Sequence, residues 1–168
     1  MPLVPADLPM LADWMGRAHW REWWGEPEEE VGFVRDMLEG RDTTRPFLFH
    51  LDGVPEGYIQ VWYVRDALVE PWLTAAPWLT ALPPDAVGVD LSLARGECLS
   101  KGIGSAVLRA FVAMLRAEGH ESIVIDPAPD NARALAAYRK AGFRPVPALL
   151  GKTTDCIVMQ HEPEMTEA

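Results

Sequence analysis

The sequence predicts one mixed α/β domain, and three observations carry that prediction. Phe47 to Leu51 and Tyr58 to Tyr63 are β-rich runs joined by a turn containing Asp52, Gly53 and Gly57, which reads as a hairpin. Ile103, Ala106, Val107, Ala110, Phe111, Met114 and Leu115 recur at helical spacing behind two glycines. Ser122 to Val146 then reads strand, helix, strand.

The remaining elements follow in order. Asp7 to Met15 has an acidic N-cap candidate and sets Leu8, Leu11 and Met15 on one side, which predicts a short helix. Glu28 to Glu39 places Val31, Val34 and Leu38 at helical spacing, with acids in the first turn where the helix dipole favours them. Pro71 to Pro84, rich in proline and tryptophan, reads as the longest irregular stretch. Loops of that length in a compact domain are often functional. Ala86 to Leu93 is a strand, and the helix after Gly102 and Gly104 stops at Gly119. Ser122 to Asp126 is a short buried strand, and a helix over 131–141 is stopped by Gly142. Phe143 to Val146 and Thr153 to Gln160 supply the last strands. The tail after Glu162 is expected to be loose. No repeat or linker interrupts residues 1–168, so one domain is expected.

Composition narrows the function. At 168 residues the chain can bury a core without disulfide or metal staples. Cys98 and Cys156 fit no metal or redox spacing, and His19 and His50 lack ligand spacing. Reduced thiols and no metal are therefore expected. No apolar run approaches a membrane span, and the first residues lack the basic flank of a secretory leader, so a cytoplasmic protein off the membrane is expected. The net charge of −10 repels a phosphate backbone, which argues against nucleic acid, and would steer in a cationic small molecule. The same acidity also serves solubility alone. Trp14, Trp20, Trp23 and Trp24 form one aromatic cluster and Trp72 and Trp78 another; such rings suit either a core or a ligand-facing wall.

Leu99, Ser100, Lys101, Gly102, Ile103, Gly104 and Ser105 lie between a strand and a long helix. Glycines there allow close backbone approach, and helix N-terminal amides favour anions, with Lys101 as an added charge. The segment lacks the third glycine of a dinucleotide fingerprint and the Lys-Ser/Thr of a P-loop. Downstream stand Asp126, Asn131, Arg133, Tyr138, Lys140 and then Ala141-Gly142-Phe143.

In this combination the sequence resembles the GNAT superfamily of N-acetyltransferases, most closely over 87–146. One departure is Leu99, where the superfamily commonly has Gln or Arg. Within the superfamily it is most similar to the aminoglycoside 6′-N-acetyltransferases. The matching words are Glu22-Trp-Trp-Gly25, Gly57-Tyr-Ile-Gln60, Gly88 to Ala94, Lys101 to Gly104, Asp126 to Asn131 and Tyr138 to Phe143, in the family's order.

The resemblance implies the GNAT fold: a mixed, mostly antiparallel sheet with helices on both faces and a V-shaped split between the cofactor-binding strands. It implies acetyl-CoA as co-substrate, held along Leu91, Ser92 and Leu93, at Leu99 to Ser105, and by Asn131, Ala134, Tyr138 and Lys140. Asp90 corresponds to the family's proposed base and Tyr138 to its proposed acid. Trp24, Gln60, Glu70, Trp72, Asp90, Asp126 and Asp155 form the expected substrate set, since a polycationic sugar calls for carboxylates and aromatic or polar walls. The final strand aligns Asp155 only with a gap.

Plainer readings stay open at several positions. Asp126 precedes Pro127 and suits a turn. Tyr138 shares a face with Ala134, Leu135 and Ala141 and suits a core, and Trp24 suits packing. Two other functions also remain open on the same scaffold: acylation of a siderophore hydroxylysine, and a non-catalytic acyl-CoA-binding module. A monomer or weak homodimer is expected.

Overall fold

Residues 1–163 are described by a computed structural model, and they divide into two compact units. The expected loose tail lies, from residue 164 on, outside the described residues.

The first unit comprises residues 1–62 and 90–99. Its helices are α1 (Leu8–Met15), α2 (Ala18–Arg21) and α3 (Pro27–Leu38), with strands β1 (Arg45–Leu51) and β2 (Val54–Tyr63). Leu11, Trp14, Met15, Trp20, Val34, Leu48 and Tyr58 form its buried centre, with Leu8, Val31 and Leu38 packed against it. The apolar faces read from the sequence for α1 and α3 are thus the faces that pack. Asp7 does not cap α1 as expected; its Oδ2 accepts from the Val4 amide at 3.0 Å, closing the turn ahead of the helix. Helix α2 was not foreseen. It is too short to nucleate alone, and Trp20, fully buried, ties it down by donating Nε1–H to the Leu93 carbonyl at 2.9 Å.

β1 and β2 pair antiparallel. Their connection has Asp52 at φ 50° and Gly53 at φ 80°, the left-handed pair that matches strand twist in a two-residue hairpin. Gly57, expected in that turn, lies inside β2. A Cβ there would stand 2.1 Å from the Phe49 ring and 2.5 Å from the Ser92 carbonyl oxygen, so the glycine answers to close packing.

The second unit comprises 63–89 and the described residues from 100 on. Strand β3 (Val87–Leu93) begins in this unit and continues into the first. Pro71 to Pro84 is more ordered than its composition suggests. It follows α4 (Val64–Ala67) and contains α5 (Trp72–Ala75) and a 3₁₀ turn over Pro77–Ala81. The long α6 (Ile103–Ala117) packs on α7 (Ala132–Lys140), with β4 (Ile123–Ile125), β5 (Phe143–Pro145) and β6 (Met159–His161) completing the unit. The buried face of α6 is Ser105, Leu108, Phe111, Val112 and Leu115, whereas Ala106 and Ala110 are exposed. The apolar stripe was therefore placed about one position off. Alanines fit the periodic pattern but bury little area, so the larger side chains set the helix rotation.

The six strands run in the order β1-β2-β3-β4-β6-β5. β3 and β4 are parallel, while β4–β6 and β5–β6 are antiparallel, giving a mixed, mostly antiparallel sheet. β6 is shorter than expected. Thr153 Oγ1 donates to the Cys156 carbonyl at 2.6 Å, and this local turn competes with the ladder before Met159.

Candidate active site

Alternate residues of a strand share a face, and on β2 these include Tyr58, Gln60 and Trp62. All three converge on the half-buried Asp90 of β3. Gln60 Nε2 donates to Asp90 Oδ2 at 2.9 Å, Tyr58 Oη donates to Gln60 Oε1 at 2.6 Å, and the Trp62 side chain also bonds Asp90. Burial pushes the Asp90 carboxyl above its usual range, and the hydrogen bonds from Gln60 and Trp62 pull the other way. A carboxyl raised in this way is, once ionised, a stronger proton acceptor than an ordinary carboxylate.

A second carboxylate faces this one. Glu30 of α3 is half-buried, with Oε1 held by the Gly25 amide at 3.1 Å. Its carboxyl is raised by burial and further by the charges of Glu29 and Asp90, against that amide bond. The half-buried Trp24 packs its ring against Trp20 at 5.1 Å and edge-on to Tyr58 at 5.8 Å. Trp24, Gln60 and Asp90 were predicted site residues, and the first unit brings them into one region. Glu30, Tyr58 and Trp62 were missed as site residues. The period-two run through Tyr58, Gln60 and Trp62 was the available signal; Glu30 sat unmarked among three consecutive glutamates.

Of the strand segment expected to hold cofactor, Leu91 and Ser92 are half-buried. The Leu93 carbonyl is already engaged, within 2.8 Å of His19 Nε2 and by Trp20 Nε1–H. Ala94 N–H donates to the Glu56 carbonyl, and the buried Glu56 carboxylate pairs with Arg95, anchoring the end of β3.

In the second unit the loop ahead of α6 has two left-handed residues, Ser100 at φ 63° and Gly102 at φ 80°, around the exposed Lys101. Left-handed turns of this kind, ahead of a helix N-terminus, can present backbone amides to an anion. A Cβ on Gly104 would meet nothing within 4 Å, so the space beside the first turn is open. Ser105 is buried and donates Oγ–H to the Gly102 carbonyl at 3.0 Å; Ile103 is half-buried, as is Leu99 at the end of the first unit.

Asn131 is the N-cap of α7, its Oδ1 accepting from the Ala134 amide at 3.1 Å. Tyr138 is half-buried on α7, and Lys140 is exposed with its carbonyl taken by Arg109. Asp126 and Asp155 converge electrostatically on one group. Burial first, then both their charges, push the Cys156 thiol up to about 11, so it stays protonated. The Ile157 amide, donating to the Pro127 carbonyl at 2.9 Å, holds the two segments together. Glu70 is exposed and spends Oε2 on the Thr74 amide and hydroxyl, as a cap for α5, and Trp72 at the start of α5 is 45% exposed. Among the described residues no group of three or more His, Cys, Asp or Glu side chains could hold a metal ion, and no helix is long and apolar enough to cross a membrane.

The fold is that of a group-transfer enzyme: a mixed, mostly antiparallel sheet with a glycine-containing turn ahead of a long helix. Residues 4–149 match the acetyltransferase (GNAT) domain family, and the chain belongs to it. The chain is 35% identical over 145 residues to the aminoglycoside N(6′)-acetyltransferase type 1 of Klebsiella pneumoniae, covering 82% of this chain and 69% of that one. It is also similar to AAC(6′)-Ib solved in complex with parmomycin and acetyl-CoA, with TM-score 0.81, 28% identity, and coverage of 100% and 96% of the two chains. AAC(6′)-Ib with coenzyme A and kanamycin superposes with TM-score 0.80 at 28% identity, covering 97% and 93%.

Proposed function

We propose that this chain transfers the acetyl group of acetyl-CoA to the 6′-amine of an aminoglycoside. The observation that carries the reading is the half-buried Asp90 carboxylate, held by Gln60 and raised by burial, on the fold of acetyl-CoA-dependent relatives that act on such sugars.

The residues divide the work. The amides of the Ser100–Ser105 turn and Lys101 bind the pyrophosphate, whose charge the α6 N-terminus complements. The main chain at Leu91 and Ser92 orients the pantetheine arm, and Leu99, Asn131, Ala134 and Lys140 border the cofactor. Trp24, Gln60, Glu70, Trp72, Asp126 and Asp155 contact the polycation. Asp90 takes a proton from the 6′-ammonium, and the freed amine forms the C–N bond at the thioester carbonyl. As the C–S bond breaks, Tyr138 gives its proton to the departing thiolate, and the proton that the new amide nitrogen must lose restores the phenol. No cysteine nucleophile is needed, and Cys156 stays a thiol. The chain works as one cytoplasmic acetyltransferase domain, a monomer or weak homodimer, without metal, nucleic acid or membrane.

The test is a panel of amines offered with acetyl-CoA and followed by release of free thiol. Kanamycin or tobramycin is acetylated faster than a lysine peptide, a hydroxylysine or a monoamine. The aminoglycoside KM rises with salt as the attraction is screened. Turnover of simple amines with none on any aminoglycoside overturns the substrate; no thiol release with any amine overturns the enzyme.

A further inference from the structure

Gln60 has both ends of its amide committed: Oε1 to the Tyr58 hydroxyl at 2.6 Å and Nε2 to Asp90 Oδ2 at 2.9 Å. Tyr58 is fully buried, its ring fixed by Trp20 and Trp24 and its Oη also 3.8 Å from Met37 Sδ. An ionised carboxylate only accepts, so the Gln60 NH₂ must face Asp90 and its Oε1 must face Tyr58, which must then donate. Protonated Asp90 can instead donate, and that would favour the flipped amide with Tyr58 accepting. The direction of the whole chain of bonds is therefore tied to the charge on Asp90.

We infer that Tyr58 and Gln60 are positioning residues that hold Asp90 in its ionised, proton-accepting form, a role that rests on reading Asp90 as the base. Gln60 is thereby more than a wall of the substrate site, and Tyr58 acts without touching the substrate. The groups facing this chain agree with the assignment. Burial and the charges of Asp90, Glu30 and Asp42 push the Tyr58 phenol well up, so it keeps the proton that it donates to Gln60 when Asp90 is ionised. Burial opposes ionisation of Asp90, while the Gln60 and Trp62 donors favour it, and the Asp90 charge in turn raises Glu30 on α3.

The experiment follows the Asp90 carboxyl directly, by NMR titration of protein carrying ¹³C-carboxyl aspartate, the signal assigned by its loss in Asp90→Asn. Gln60→Met removes the donor at similar volume and moves the Asp90 midpoint upward by about half a pH unit or more, with Tyr58→Phe moving it less in the same direction. Trp62 still donates in both variants. In turnover, the acidic limb of kcat moves upward with the NMR midpoint, and acetyl-CoA affinity is unchanged. Gln60→Glu does not rescue, because at working pH it places a third charge beside Asp90 and Glu30. A midpoint in folded Gln60→Met within about 0.1 pH unit of the parent overturns the inference. Gln60→Met moving the midpoint while Tyr58→Phe leaves it in place overturns the part assigned to Tyr58. Failure of the base reading shows separately, as Asp90→Asn turning over normally while the NMR midpoints still respond.

Discussion

The region around Asp90 and the loop around Gly102 are built by opposite means. Asp90 is surrounded by side chains brought from distant sequence: Tyr58, Gln60 and Trp62 from β2 and Glu30 from α3. The Gly102 turn depends on backbone torsions over a few consecutive residues, with Ser100 and Gly102 left-handed. A side-chain network can be tuned one atom at a time and carries burial-shifted protonation. A backbone cradle has little to titrate and fails when a Cβ intrudes. Chemistry and cofactor affinity should therefore separate cleanly between the two.

The largest expected effect tests the side-chain half. Asp90→Asn keeps the shape and an acceptor for Gln60 but removes the proposed base, so kcat is expected to fall by about 10²-fold or more while acetyl-CoA binding holds. The parent itself loses activity as the pH falls through the raised Asp90 value, because the protonated acid cannot accept. Equal kcat for parent and variant at each pH, with chemistry rate-limiting, would erase the contrast.

Next comes Tyr138→Phe. If the phenol protonates the thiolate, kcat falls by roughly tenfold to a thousandfold and the cofactor KM changes little. A ring that merely packs leaves turnover near normal. Gly104→Val then tests the backbone half. The fold accepts the side chain, since nothing lies within 4 Å of its Cβ position, yet the cofactor loses its approach. Calorimetry should show acetyl-CoA affinity weakened at least about tenfold, roughly 1.4 kcal/mol, with the melting temperature preserved. Unchanged affinity would remove the anion cradle from this loop.

The smallest effect concerns stability. Because burial raises the Asp90 carboxyl, the folded chain holds that proton more tightly than the unfolded chain does. Ionising it therefore costs stability as pH rises through the folded value, and the cost vanishes below the unfolded one. Asp90→Asn should melt a few degrees higher than the parent at pH 7, with the gain shrinking toward acid pH. A variant that melts lower at neutral pH would mean that the hydrogen bonds outweigh the burial.

What could be read in advance divides along the same line. The Gly102 turn, the α6 helix and its Gly119 stop are local patterns: a torsion requirement, a 3.6-residue period and a left-handed C-terminal residue. They sit where the sequence indicated. Gly57 was misplaced because a glycine's reason can be a neighbour's bulk as well as a turn, and Phe49 and Ser92 become neighbours only in the fold. Asn131 stood out by its motif, and the structure adds the local reason, a cap on α7. Glu70 and Asp126 were both picked as carboxylates near a strand or loop. Composition could not foresee that one spends an oxygen on Thr74 while the other joins Asp155 around Cys156.

By itself the sequence determined most of the succession of strands and helices, the glycine turn ahead of α6, the acidic balance and the family likeness. Each of those is written in neighbouring residues or in totals. Only the tertiary structure decided which side chains stand around Asp90, that Glu30 is one of them, and that the Tyr58–Gln60 pair is aimed at it. It also decided the rotation of α6 and the existence of α2. The physical reason is range. Torsional preference acts over a few residues, whereas burial and carboxylate protonation depend on atoms that are close in space and, for Glu30 and Asp90, far apart in sequence.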